Sequence, residues 1–513
     1  MAQRINYFSG NTGGRVLLLL LLFFLAIYSF VNAGFTPFAF ICAVPILVLL
    51  VIAAFKSSML SFWALICINY IVQWKDAPLP SGIPVSLYNE MLELILIALA
   101  IIDIKDSKFE RCGNLMLLAL IIWCGFCTIE VLNDTCNLGI NISAWFQGVR
   151  MLAFQLMYAF IVFTIYIKNP KILVRYLYVW GCLALFAAFW VWKQKYIGFT
   201  HLEESWIQGP GRTTHIINGG TLIRYFSIYS DAATFGIGIA STAVAFIIFG
   251  ITSKIKKHKY FFLIVGSACA WAMFPSGTRT AIACMMLGFI LYVFLSKSIR
   301  IAIPITIIFG VLVFLLAFTK IGNGNQQIRR MRSAFDKSDA SANQRTINQE
   351  TMRKYMKEAP WGIGLGMYGE QVPANNKYRL MSTIAADSEY VFIWLRTGEI
   401  GITTFLVSTF IMLAGACWVV FFTLKTPSLR GIGAGFCCAF ASQQLGGYGN
   451  QVLMQFPNGL VFYGGLAIVY ILPHIEKEWI DYETGIIAKQ EEKKRLKKEK
   501  REKARVKGLL GWN

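Results

Sequence analysis

Apolar runs of roughly 17–25 residues, long enough to cross the hydrocarbon of a bilayer as α-helices, recur along the chain. They start near Val16, Thr36, Met59, Tyr88, Leu115, Ala144, Ile172, Ala232, Tyr260, Thr280, Ile301, Ile400, Gly431 and Pro457. Backbone amides find no water in lipid, so helices are the form such runs must take. The pattern predicts an all-α polytopic membrane protein with about 12–14 transmembrane helices. The first run follows Arg15 and ends in Val31-Asn32-Ala33. It is long and another span follows at once, so it reads as a retained helix rather than a cleaved leader. One stretch interrupts the pattern. From Thr319 to Ser388 the chain is polar, and loops longer than about fifteen residues are usually functional or disordered. Within it, Asn343 to Glu358 reads as a helix stopped by Pro360.

Composition agrees with a bilayer as solvent: 56% of residues are hydrophobic, 15% are charged, and the mean hydropathy is +0.57. An ordinary soluble globule is excluded. The net charge of +21 is informative through its distribution. Clusters at Lys105, Lys108 and Arg111, at Lys168, Lys171 and Arg175, at Lys254 to Lys259, at Lys297 and Arg300, and at Lys425 and Arg430 fall in every second loop. Lys and Arg collect in cytoplasmic loops, which predicts both termini inside and the long polar loop outside. That outside loop nevertheless holds eleven Lys and Arg against six acids, so an anionic partner is expected there. The organisation expected is a transmembrane domain over residues 1–475, a long loop within it over 319–388, and a basic cytoplasmic tail over 476–513. The tail carries eleven basic residues between Lys489 and Lys507 and reads as a solvated helix or an anchor to anionic headgroups, not as a nucleic-acid arm.

Several chemistries find no support. The twelve cysteines lie mostly inside apolar runs, and Cys136 is the one clearly on the oxidising side, so no disulfide framework follows. Cys124 and Cys127 have redox-motif spacing but sit in mid-helix, where packing is the expected role. The four histidines show no metal-ligand spacing, and no phosphate-binding glycine-rich loop is present. No metal or cofactor is expected.

Three outward-facing elements carry candidate chemistry: Ser276-Gly277-Thr278-Arg279-Thr280-Ala281 between two spans, Arg345 opening the loop helix, and Asp387-Ser388-Glu389 where the loop meets the next span. Amides and hydroxyls around Arg279 suit an anion at a helix start, although an arginine there can also snorkel to the interface. Asp387 or Ser388 can equally serve as an N-cap, and Gly398 and Gly401 can equally serve close helix packing.

Together these elements resemble the O-antigen ligase and polymerase family of bacterial surface-glycan enzymes. That family's long loop closes on His, then Asn, Ser or Gln, nine residues, Gly, two residues, and Gly, Thr or Tyr; here the positions are Asp387, Ser388, Gly398 and Gly401. The turn at Ser276 to Ala281 and the run from Arg345 to Pro360-Trp361-Gly362-Ile363-Gly364-Leu365-Gly366 are also similar to family features. The resemblance spans roughly Arg224 to Thr403. It implies a GT-C-like, metal-independent, inverting glycosyltransferase of the bacterial inner membrane. The donor would be a polyprenyl-diphosphate-linked glycan and the acceptor another glycan, a lipid A core or a protein, with membrane lipids as surroundings. It assigns catalysis to Arg279, Arg345 and Asp387, and substrate binding to Arg224, Ser276, Thr278, Ser388 and Glu389. Asp387 stands where the family has histidine, which leaves the base open, with Glu389 the nearest alternative. The rival reading is a flippase for lipid-linked sugars, which would place charges along several spans; Glu90, Glu93, Glu130 and Arg150 come nearest to that description.

Overall fold

The computed structural model describes residues 57–77, 84–217, 222–321, 324, 326–332 and 340–510. The spans expected at Val16 and Thr36 lie outside the described residues. The chain divides into two units, Met1–Ala64 and Leu65–Asn513. Of the first, residues 57–64 are described and begin the Ser58–Ile71 helix. The second carries every element that builds the site.

Among the described residues the fold is all-α apart from one pair of two-residue antiparallel strands, in which Ile216 faces Ile223 and Ile217 faces Leu222. Among the described residues seven helices are long and apolar enough to cross a membrane: Val85–Ile102, Leu115–Leu132, Ile142–Tyr166, Pro170–Tyr196, Ala232–Thr252, Glu389–Thr423 and Asn458–Glu492. The protein is a multi-pass membrane protein. Three other predicted spans are helices that fall short of that standard. Ser58–Ile71 and Arg279–Leu295 are 14 and 17 residues long, and Pro427–Gly449 carries Arg430, Gln443 and Gln444 among its glycines.

The Leu115–Ile129 helix shows how such a segment divides its surface. Met116, Ala119, Leu120, Trp123 and Cys127 are buried, spaced three and four residues apart on one face. Leu118, Ile121 and Ile122 are exposed on the other, so both faces are apolar, as a helix between protein and lipid requires. Its start is closed by Asn114, whose side chain accepts from the amides of Met116 and Leu117. Ala232–Thr252, by contrast, is buried almost all round. It packs between Lys256–Ala272, Arg279–Leu295 and Pro427–Gly449, and small residues permit the approach: a Cβ on Gly431 would lie 2.1 Å from Thr252 Oγ1.

The chain from Ile142 to Tyr166 is one apolar segment with a π turn at Arg150–Phe154. The turn frees backbone carbonyls, and Trp123 Nε1 donates to that of Leu152 at 2.9 Å. It also aims Arg150 sideways, where its Nε lies 3.3 Å from Glu90 and its Nη2 donates to Ser86 Oγ at 3.1 Å.

The Glu389–Trp418 helix is broken. Gly398 has φ +66° and ψ −165°, a region open essentially to glycine alone. The groups released by the break are taken up by the end of the polar loop. Ile363 N donates to Leu395 O at 2.9 Å, Gly364 N to Arg396 O at 3.0 Å, and Ile400 N to Pro360 O at 3.5 Å. Pro360 to Gly366 therefore lies as a short, turned clip along the break. It fits because of its glycines. A Cβ on Gly362 would lie 2.4 Å from the Arg396 carbonyl, one on Gly398 1.9 Å from Pro360 O, and one on Gly366 1.8 Å from Ala144 O. The clip is thus wedged between the broken helix and Ile142–Val149. The loop helix, expected over Asn343 to Glu358, spans Ala340–Met356, and Met352 and Met356 join Cys136, Ala144, Ile363 and Leu395 in one apolar cluster over the clip.

Candidate active site

The first half of the site is the turn before the Arg279–Leu295 helix. Gly277 is left-handed at φ +58°, which reverses the chain after the Phe274–Ser276 turn and starts the helix at Arg279. Ser276 and Thr278 are buried, and both hydroxyls are spent on backbone. Ser276 Oγ donates to Met273 O at 2.7 Å and accepts from Thr278 N at 3.2 Å, while Thr278 Oγ1 donates to Ala232 O at 2.9 Å. Their hydroxyls shape the turn. The charge comes from arginines around it. Arg224 donates through Nε to Ser276 O, through Nη1 to Thr214 O and through Nη2 to Thr278 Oγ1, at 3.1–3.3 Å. Arg330, from the Gln326–Arg332 helix of the polar loop, donates through Nε to Gly277 O at 2.8 Å. Two guanidinium groups thus bond the turn, and a third arginine, half-buried Arg279, opens the helix that follows it.

Beneath it the Ala232–Thr252 helix is capped twice. Asp231 accepts from the amides of Ala233 and Thr234, and His215 Nε2 accepts from Ala232 N at 3.1 Å. That contact makes Nδ1 the protonated nitrogen, donating to Gly211 O at 3.0 Å. Burial, aided by the charge of Arg224, lowers the imidazole's pKa to about 4. His215 is a neutral cap with both nitrogens engaged, not a free base.

The second half is the end of the polar loop. Asp387 is exposed, whereas Ser388 and Glu389 are buried. Ser388 occupies the N-cap position of Glu389–Trp418 but makes no capping hydrogen bond. Its hydroxyl instead donates to Gly447 O at 3.1 Å. Glu389 Oε2 accepts from Leu453 N at 3.0 Å, and the amides of Val452 and Met454 bond to the same carboxylate. The side chain is committed to holding residues 452–454.

A third element, absent from the sequence-level site, joins the halves. Between Pro427–Gly449 and the final helix, Asn450 Nδ2 donates to Thr280 Oγ1 at 3.1 Å, and the next residue, Gln451, donates through Nε2 to Ala386 O. Two consecutive side chains therefore tie the residue after Arg279 to the residue before Asp387. Nothing in the spacing of Asn450 and Gln451 marks them; a polar pair following an apolar span was the available signal. Arg345 lies in the second turn of Ala340–Met356, and its helix is placed by Met352 and Met356. A further buried cation, Arg396, is engaged by the stretch that follows the clip. It donates to Met367 O and lies 4.2 Å from the centre of the Tyr368 ring.

Compared with known families, residues 261–406 match the family described as O-antigen ligase. The chain carries an O-antigen ligase domain. The matched stretch takes in the turn at Ser276–Thr278, Arg279, the loop helix, the glycine clip, Asp387 to Glu389 and the break at Gly398. Arg224 and the Asn450–Gln451 tie lie outside it. The family implies an enzyme of membrane glycan ligation or polymerisation acting on lipid-linked glycans. No curated protein matches the chain by sequence.

Proposed function

We propose that the protein is a metal-independent, inverting glycosyltransferase of GT-C type. It transfers or polymerises a polyprenyl-diphosphate-linked glycan at the periplasmic face of a bacterial inner membrane, with both termini cytoplasmic. The transmembrane domain is residues 1–475, the periplasmic loop within it 319–388, and the cytoplasmic tail 476–513. The observation that carries the reading is the bonding of Arg224 and Arg330 to the Ser276–Thr278 turn, with Arg279 opening the helix that follows, tied through Asn450 and Gln451 to the segment bearing Asp387.

Departure of a lipid diphosphate builds negative charge, and planar, permanently cationic guanidinium groups bind phosphate oxygens in pairs. Arg279, with Arg345 from the loop helix, takes that task, worth about 3–4 kcal/mol for a single well-placed donor to a developing anion. Arg224 acts chiefly as a brace, since three of its donors are already used within the fold. Ser276 and Thr278 set the turn that aims Arg279. Asp387 is the exposed carboxylate on the acceptor side and is the base or orienter for the acceptor hydroxyl, a role typically worth 10²–10⁴-fold. Glu389 is less suited to it, because its carboxylate is buried and bonded to backbone amides. Ser388 anchors the segment to Gly447.

The flippase alternative calls for charges strung through the spans. The membrane-embedded cation Arg150 is instead paired with Glu90, and Glu130 accepts from Asn133 at the rim of the clip. The test is release of polyprenyl diphosphate from a polyprenyl-diphosphate oligosaccharide by reconstituted protein in the presence of chelator. Wild-type release that falls at least 100-fold in Arg279→Ala and Asp387→Ala supports the transferase, and the mass of the product separates polymerase from ligase. Movement of labelled lipid across the bilayer without any release would sink it.

A further inference from the structure

A second polar site lies at the other end of the bundle, where the basic loops emerge. The helices Ala232–Thr252, Arg279–Leu295 and Pro427–Gly449 touch closely along their length, as Gly288 against Val244 and Ser442 and Gly431 against Thr252 show. At this end they diverge around a cavity of about 270 Å³. Its lining includes Thr252, Tyr292, Ser296, Ser298 and Gly431, with Arg430 the one side chain of full charge.

The hydrogen bonds around the cavity leave three side-chain donors over. Thr252 Oγ1 donates to Ile248 O at 2.7 Å, and Ser296 Oγ donates to Val293 O at 3.1 Å while accepting from Ser298 N. The amides of Lys425 and Thr426, ahead of the Pro427–Gly449 helix, are taken by Glu476 Oε1. The helix start is therefore not the free donor. The guanidinium of half-buried Arg430 and the hydroxyls of Tyr292 and Ser298 make no hydrogen bond to any described residue. An arginine carried on an apolar helix and turned into a polar cavity without a carboxylate partner calls for an anion.

We propose that this cavity binds the phosphodiester of an anionic phospholipid, with Arg430 gripping two phosphate oxygens and Tyr292 donating to the same group. A fork of donors matches that geometry. A cavity near the low end of the roughly 300–1,000 Å³ of ordinary ligand sites suits a headgroup rather than a glycan. Lys297 and Arg300 on one flank and Lys425 on the other add positive field, of the kind that draws anionic lipid to a membrane surface. Lys297 is itself positioned by the Phe421 ring, 3.9 Å from its Nζ. The site is separate from the transfer reaction, and its test needs neither donor nor acceptor.

The experiment is equilibrium titration of the purified full chain, in neutral detergent, with short-chain phosphatidylglycerol, short-chain phosphatidylcholine and inorganic phosphate, read by native mass spectrometry. Wild type should take up one phosphatidylglycerol in preference to phosphatidylcholine. Arg430→Gln should weaken that uptake at least tenfold, and Arg430→Lys, which keeps the charge but not the fork, by a smaller factor. Arg300→Gln, on the same face but outside the lining, should bind within twofold of wild type. If Arg430→Gln cannot be prepared folded, the lysine variant against wild type carries the comparison. Equal, Arg430-dependent saturation by inorganic phosphate at the same concentrations would assign the site to a soluble phosphate and overturn the lipid. Unchanged phosphatidylglycerol uptake in the Arg430 variants, or equal uptake of phosphatidylcholine, would overturn the site itself.

Discussion

Replacing Gly398 by alanine tests the junction between the polar loop and the broken helix. Two costs arise from one methyl group. The backbone at φ +66°, ψ −165° lies in a region that costs a residue bearing Cβ about 1–3 kcal/mol. The new Cβ would also stand 1.9 Å from Pro360 O. That atom is backbone, so no rotamer change relieves the contact. Moving Pro360 away would strip the bonds from Ile363 N to Leu395 O and from Gly364 N to Arg396 O, worth about 1 kcal/mol each. The sum is roughly 3–5 kcal/mol, an exceptional loss for one substitution. Gly125 supplies the control. It lies within Leu115–Ile129, and a Cβ added there would meet nothing within 4 Å, so Gly125→Ala should be neutral or stabilising by about 0.5–1 kcal/mol. Thermal unfolding in detergent, followed by tryptophan fluorescence and by exposure of Cys136 to a thiol reagent, reads both variants. Cys136 is buried and donates to Ile363 O, so it reports whether the clip is seated. A Gly398→Ala protein that melts with wild type and keeps Cys136 protected would refute the reasoning.

Two further outcomes follow from the hydrogen-bonding pattern. His215 is held neutral, with its pKa near 4 against an ordinary value of 6.5. Stability from this group is therefore complete above about pH 6.5, falls as the pH drops from 6.5 towards 4, and is lost below that, a span of roughly 3 kcal/mol. His215→Gln should flatten that part of the stability curve measured by unfolding at stepped pH, and an unchanged slope would remove His215 as its source. Glu389→Gln should lower stability by about 1–3 kcal/mol, because an amide now meets backbone N–H groups that had a carboxylate. It should leave the pH dependence of glycan transfer parallel to wild type, whereas a change in the acid limb in Glu389→Gln but not in Asp387→Asn would make Glu389 the base.

The helices were readable because lipid leaves an apolar run few alternatives. Of the twelve starts predicted in the described residues, the one at Ile400 deviates most, since the helix begins at Glu389. Ile400 in fact opens the segment beyond the Gly398 break, so the apolar run reported the second half and the polar residues from Thr397 to Glu399 hid the first. The turn at Ser276 to Arg279 was readable because a glycine, two hydroxyls and a cation between spans have few other uses. The tie through Asn450 and Gln451 was not, because each makes its bond to an atom more than sixty residues away. Nor was the commitment of Glu389 to three amides, since an acid at a helix start is common. The choice of Ser388 to bond Gly447 rather than cap its own helix is likewise set by the neighbouring helix, which local sequence cannot report.

The glycine clip also partitions the long polar stretch by its tolerance to changes of length. Upstream of Met352, insertion or deletion alters how far the chain travels before it reaches the apolar cluster. From Ala359 to Gly366 one added residue would slide Gly362 and Gly366 out of register with Arg396 and Ala144, placing side chains where no space exists. Variation in loop size, and any tag or reporter introduced into this protein, is accordingly excluded from Ala359 to Gly366.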